Sequence, residues 1–235
     1  MFGGNRSAEL KKVLITVAIL IVTTNGFTSF LLWNLLRQIE SGKSLLVLRG
    51  TSYGMLPLVF VFLELLIVIW AFRSLSPLSR LGSLDGVRNQ SILKMTLAGF
   101  CSGSGLLLLF VPLLLRSKPN GGLVTLMLYQ PSLLGLVAFC LVAIALPVAG
   151  EIAFKTIILK TLAEDMSHRW SLLVTSLAFM LIWPVFHGFW LALGLGVVTC
   201  LLYFRYRFVV PSIVANVTFT IGVFAFLALR VLLHF

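Results

Sequence analysis

Glu151 and Lys155 stand four residues apart in "PVAGEIAFKTIILKTL", residues 147–162, directly after the 28 uncharged residues 123–150. Acid first and base one turn later is the favourable order for an ion pair along a helix. Two kinds of chemistry suit the pair. A mutual ion pair lowers the cost of burying either charge, whereas a carboxylate free to accept a proton is a candidate general base. A second acid, Glu64, lies in the middle of "LPLVFVFLELLIVIW". An ionisable group within an apolar helix must face other helices, pair or stay protonated. Glu64 is a candidate proton or ion site, or a structural hydrogen-bonding partner of Thr23, Thr24 or Asn25.

The elements that carry these residues are membrane helices. The chain of 235 residues is 60% hydrophobic and 11% charged, where a soluble domain carries about a quarter charged residues. Four uncharged runs, residues 13–36, 95–115, 123–150 and 208–229, reach the roughly 20 residues a helix needs to cross a bilayer. The stretch 170–204 has no formal charge over 35 residues. As one helix it would be about 50 Å long, too long for a single span. "WPVFHGF", residues 183–189, supplies a break into two short helices. The reading is an all-α, polytopic membrane helical bundle of about seven transmembrane helices, forming a single transmembrane domain over 1–235. The spans are 10–36, 55–72 and 92–115, a long fourth helix from about 123 through Glu151 toward Glu164, the two short helices, and 209–233. Gln130-Pro131 marks a kink or the true start of the fourth.

The net charge of +11 comes from Lys and Arg spread over short connections rather than a stripe. That pattern reads as contact with the lipid bilayer and its headgroups, with no nucleic acid partner. With the N-terminus inside, twelve of the 18 Lys and Arg fall on the cytoplasmic side and six opposite, which predicts a cytoplasmic N-terminus. Cys101, Cys140 and Cys200 all lie in apolar runs without a CxxC pair, and are expected as small buried core residues. His168 and His234 are too scattered to join His187 in a metal site; neither metal nor cofactor is expected. In "LAGFCSGSG", Gly99 and Gly103 have the GxxxG spacing of a close helix-packing face.

"LPVAGEIAFKTIILKTL" resembles the first motif of the CPBP family, the CAAX-protease and bacteriocin-processing (Abi) membrane proteins. That motif is Glu-Glu, three residues, Arg, with Phe before the Arg. Gly150 stands at the first Glu, Glu151 at the second, Phe154 at the Phe and Lys155 at the Arg. "TSLAFMLIW" is similar to the second motif, Phe followed four residues later by His; Phe179 matches, and Trp183 stands at the His. "LGVVTCLLYFRYRFVVPSIVAN" carries the family's Gly196, Tyr203 and Arg205, and Asn216 and Thr220 occupy the positions of the third motif, His-x-x-x-Asn. The resemblance implies a CPBP-like core over 123–235 and, in the family, peptide hydrolysis by a Glu and a His that activate water, with the third-motif pair binding an oxyanion or holding the base. Here all four of those positions are replaced.

Gly and Trp supply neither a base nor an oxyanion donor. Glu151 with His187 or Asn216 is the set that could sustain activity, and it faces two objections. Glu151 is turned about 100° from position 150 on a regular helix, and His187 lies in the expected break. The favoured expectation is therefore a catalytically inactive integral membrane protein: a scaffold, an immunity factor, or a partner of another membrane protein or membrane-associated peptide. Trp183 would fill the space left by the His, and Glu151 and Lys155 would remain as a structural pair near mid-membrane. The alternative is a divergent glutamate-dependent intramembrane endopeptidase. A third reading, an ion-handling protein, needs Glu64 and Glu151 on one polar path. A bacterial plasma membrane is what the family implies.

Overall fold

A computed structural model describes residues 91–116, 140–182 and 189–232, with isolated positions 11, 15, 18, 19, 22, 62, 66, 69 and 70. The spans expected at 10–36 and 55–72, the start of the fourth helix, Glu64, Trp183 and His187 lie outside the described residues, and with them the count of seven. Every described element is helical, as a chain with no water to satisfy its backbone requires.

Helix α1 is Ile92–Arg116. A second helical run, α2, covers 141–165 in four pieces: a π segment Leu141–Ala145, an α segment Leu146–Glu151, a longer π segment Ile152–Leu159 and an α segment Lys160–Asp165. Pro147 lies in the first α segment and has no N–H to donate one turn back. A wide π turn just before it is a common way for a helix to absorb such a gap. Met166, extended at φ −138° and ψ 169°, ends α2. Then follow α3, His168–Ile182, α4, Phe189–Tyr206, and α5, Val210–Leu232. The uncharged stretch 170–204 is thus two short helices on either side of 183–188. Over 92–115, 189–206 and 210–230 the helices are long and apolar enough to cross a membrane, and α3 is a shorter apolar helix.

Burial sorts these helices into a centre and a rim. In α2, Ala143, Leu146, Glu151, Phe154, Lys155, Ile158 and Leu159 are all at most 4% exposed. Ile144 is 43% exposed, and positions 145, 148, 149, 152 and 156 are only half-buried, so α2 buries one broad face and turns the other outward. Helix α1 instead leaves Leu93, Leu97, Phe100, Leu108 and Leu109 exposed, a face suited to lipid. Cys200 is buried, but Cys101 and Cys140 are exposed, which corrects the expectation of three buried thiols. In a membrane an apolar run has no wet side to avoid, so a thiol in it can face lipid as readily as core.

Helices α1 and α5 run parallel. A Cβ on Gly99 would meet the Pro211 carbonyl oxygen at 2.5 Å and Val214 Cβ at 2.9 Å. One on Gly103 would strike the Ala215 carbonyl and lie 3.1 Å from Ala215 Cα and Thr218 Cβ. Farther along, Leu107 packs at Gly222, and Arg230 donates to the Leu114 carbonyl at 2.8 Å. The expected GxxxG face is therefore the seat of α5, the helix that carries Asn216. Gly105, by contrast, has nothing within 4 Å of its Cβ position. Gly103→Ala should lower unfolding stability in detergent by about 1–3 kcal/mol through overpacking. Gly105→Ala should be neutral or stabilising by up to about 1 kcal/mol, since Ala is the better helix former. Thermal unfolding of the two variants side by side measures both.

Candidate functional site

The centre of α2 places Glu151 and Lys155 on its buried side, each 0% exposed. A charge there must find partners, because desolvation without them costs several kcal/mol per ion. Three other helices provide them. From α5, Asn216 Nδ2 donates to Glu151 Oε1 at 2.8 Å, and Thr220 Oγ1 donates to Asn216 Oδ1 at 3.3 Å. The second bond fixes which way the amide faces, since only its NH2 end can serve a carboxylate. From α4, Cys200 Sγ accepts from Lys155 Nζ at 3.1 Å, and from α3, Ser176 Oγ donates to the same sulfur at 3.7 Å. Lys155 Nζ and Glu151 Oε2 are 3.7 Å apart, an ion pair beyond hydrogen-bond reach. Glu151 Oε2 is thus a buried oxygen without a hydrogen bond among the described residues.

The helices come close enough for this because their facing residues are small. A Cβ on Gly196 would lie 3.2 Å from Ser176 Cα and 3.3 Å from its carbonyl oxygen. That close approach of α3 and α4 sets Ser176 against Cys200, one turn beyond Gly196. Ser212 Oγ donates to the Thr199 carbonyl at 2.8 Å, which ties α5 to α4. The Thr199 hydroxyl donates to the Gly196 carbonyl and also lies close enough to act on the Glu151 carboxylate. Phe154 meets Phe179 edge to face at 5.3 Å, and Lys155 Nζ is 5.7 Å from the Phe179 ring centroid. The ammonium is therefore bounded by an acid, a thiol and an aromatic face.

Four of the sequence's motif positions come together here: Glu151, Lys155, Asn216 and Thr220, with Phe154 and Phe179 packed beside them. Gly150 is buried as well. Glu151, about 100° round a regular helix from position 150, is the residue that meets Asn216 at the third-motif position. Gly150 and Glu151 both lie on the buried face of α2, which also carries Pro147, Phe154 and Lys155. Cys200, Thr199 and Ser212 join the site without belonging to any motif position, and Ser176 is the serine that precedes Phe179 in the second motif region. Ser212 alone has a signal of its own, spacing: Ser212, Asn216 and Thr220 fall at i, i+4 and i+8, one polar stripe on an apolar helix.

Among the described residues no three His, Cys, Asp or Glu side chains gather as metal ligands. The arrangement can hold a proton or a hydrogen bond at Glu151, and it presents a lysine as the internal counter-charge.

Residues 131–222 match the family model described as "Type II CAAX prenyl endopeptidase Rce1-like". The matched segment contains all three motif regions and agrees with the CPBP resemblance. No curated protein and no solved structure matches the chain.

The pair should show strong coupling. Lys155→Met or Glu151→Gln alone leaves an uncompensated partner in a site with no exposure and should cost about 3–5 kcal/mol. The double variant Glu151→Gln/Lys155→Met should cost less than the sum of the two by at least about 1 kcal/mol. Chemical or thermal unfolding of the four proteins completes the cycle.

Proposed function

We propose that this is a CAAX-protease-like integral membrane protein in which the catalytic constellation has become a closed structural network, and that it acts as a non-catalytic scaffold or partner subunit of another membrane protein. The observation that carries this reading is the state of Glu151. Its carboxylate lies between the Asn216 amide and the Lys155 ammonium, and Glu151, Lys155, Asn216 and Thr220 are all at most 2% exposed. Hydrolysis needs a base that can reach a water and a substrate carbonyl, with donors aimed at the oxyanion. A carboxylate that already neutralises a buried lysine is a poor base, because protonating it strands the ammonium. Position 150, where the family has its first Glu, is Gly.

The orientation follows from charge. Lys94, Lys160, Arg169, Arg205 and Arg207 cluster at the helix ends beside the 207–209 bend, against Arg116 and Arg230 at the other end. Under the positive-inside rule the basic end is cytoplasmic, and with seven spans so is the N-terminus. A bacterial plasma membrane is the setting this reading adopts from the family.

A divergent endopeptidase is the second reading, and one observation favours it. Glu151 Oε2 has no hydrogen bond among the described residues and lies in the same site as Asn216. An oxygen in that condition is where a water molecule would be held. The deciding experiment is proteolysis in liposomes on a prenylated CAAX peptide and a panel of membrane peptides, with an active family member as control. The expected result is cleavage by the wild type no faster than in empty liposomes. Cleavage that disappears in Glu151→Ala, in a variant that stays folded, would overturn the scaffold reading in favour of the protease.

A further inference from the structure

The bend between α4 and α5 carries an arginine in a conformation that suits glycine. Arg207 has φ 54°, the one non-glycine residue with positive φ among those described. Its amide donates to the Tyr203 carbonyl at 2.7 Å, which closes the last turn of α4 with a left-handed residue at the position where glycine usually stands. A side chain there strains the backbone that glycine would leave relaxed. The Arg207 side chain is exposed, so nothing in the core asks for it.

What surrounds it is cationic and aromatic. Arg205, also exposed, lies over the Tyr206 ring at 5.7 Å. Tyr203 and Tyr206 both lie in the last turn of α4, half-buried beside these arginines. His168 stacks on Phe204 at 4.9 Å with planes 8° apart, which brings the start of α3 and its exposed Arg169 to the same corner. Trp170, 62% exposed, follows on α3, and the exposed Lys94 begins α1 beside α5. Glu164 and Asp165 at the end of α2 offset part of this charge. The corner lies at the end of membrane-spanning helices, the level at which headgroups lie and at which Trp and Tyr anchor.

We infer that the Arg205–Arg207 corner is a binding site for the phosphate of an anionic phospholipid headgroup, with Arg169 at its edge. Arginine forks match phosphate oxygens, and each basic side chain near an anionic membrane surface adds to the attraction. The strained backbone at Arg207 is then the cost of aiming a second guanidinium at the headgroup. This holds whether or not the Glu151 site is catalytic.

The test uses the full chain, purified and returned to nanodiscs of phosphatidylcholine alone or with phosphatidylglycerol. Native mass spectrometry counts the retained lipids, and thermal unfolding follows stability. The wild type should retain phosphatidylglycerol over phosphatidylcholine, and Arg205→Gln/Arg207→Gly should lose about thirtyfold of that preference, the scale set by two interfacial arginines. Arg207→Gly alone should lose part of the preference while its unfolding midpoint in phosphatidylcholine holds or rises, because the left-handed position is relieved. Arg116→Gln, at the opposite end, should leave it intact. Undiminished preference in Arg207→Gly and the double variant would overturn the site. Inorganic phosphate stabilising the wild type as well as phosphatidylglycerol would overturn the lipid as its ligand.

Discussion

One buried charge pair sets the terms for the rest of the bundle. Glu151 and Lys155 are fully buried, 3.7 Å apart, and the mutual attraction of a buried pair often fails to offset the loss of hydration by itself. The remainder comes from polar groups on other helices, and those must stand at the right depth. Asn216 on α5, Cys200 on α4 and, through the sulfur, Ser176 on α3 occupy those places. A shift of one helix by a single turn, about 5.4 Å, would strand an ion. The pair is thus suited to fix register, because its partners are met only with these faces of α3, α4 and α5 turned toward it. That is the best-attested role of buried polar groups in helical assemblies.

Such a device works only if the backbones approach closely, because the side chains that answer the charges are short. Serine, cysteine and asparagine reach across a narrow gap and not a wide one. Gly196 brings α4 onto the backbone of Ser176, and Gly99 and Gly103 bring α1 onto Pro211 and Ala215 of α5. The small-residue seams and the polar network are thus two parts of one arrangement. The seams supply packing, which in a membrane must replace the hydrophobic effect. The network supplies the choice among the many ways in which apolar helices pack.

Composition and spacing alone make several features legible: membrane helices, the division of 170–204, the GxxxG seat and the adjacency of Glu151 and Lys155. Resemblance adds the association of first-motif and third-motif residues, and Glu151 and Asn216 do meet. What is not legible in the sequence depends on rotation and close approach. A regular helix turns position 151 about 100° from position 150, but the buried face of α2 is broad enough to hold both. The π segments around Glu151 also break the 3.6-residue phase on which such arguments rest. Cys200 as the acceptor for a lysine is invisible for another reason. Its type says small and apolar, and only the close approach at Gly196 turns its sulfur into a polar partner.

The identity of residue 155 argues for closure of the site. The CPBP pattern has arginine there, and this chain has lysine. A guanidinium carries five donors in a rigid plane and has to find acceptors for them. Around Lys155 the structure provides one carboxylate oxygen, one thiol and the face of Phe179. That set suits a compact ammonium, whose three donors rotate to what is available, and would leave most of a guanidinium unsatisfied at zero exposure. An open, water-filled site could hydrate an arginine; a dry one cannot. Glycine at position 150, lysine at 155 and the full burial of Glu151 are three separate observations that support the non-catalytic reading proposed above.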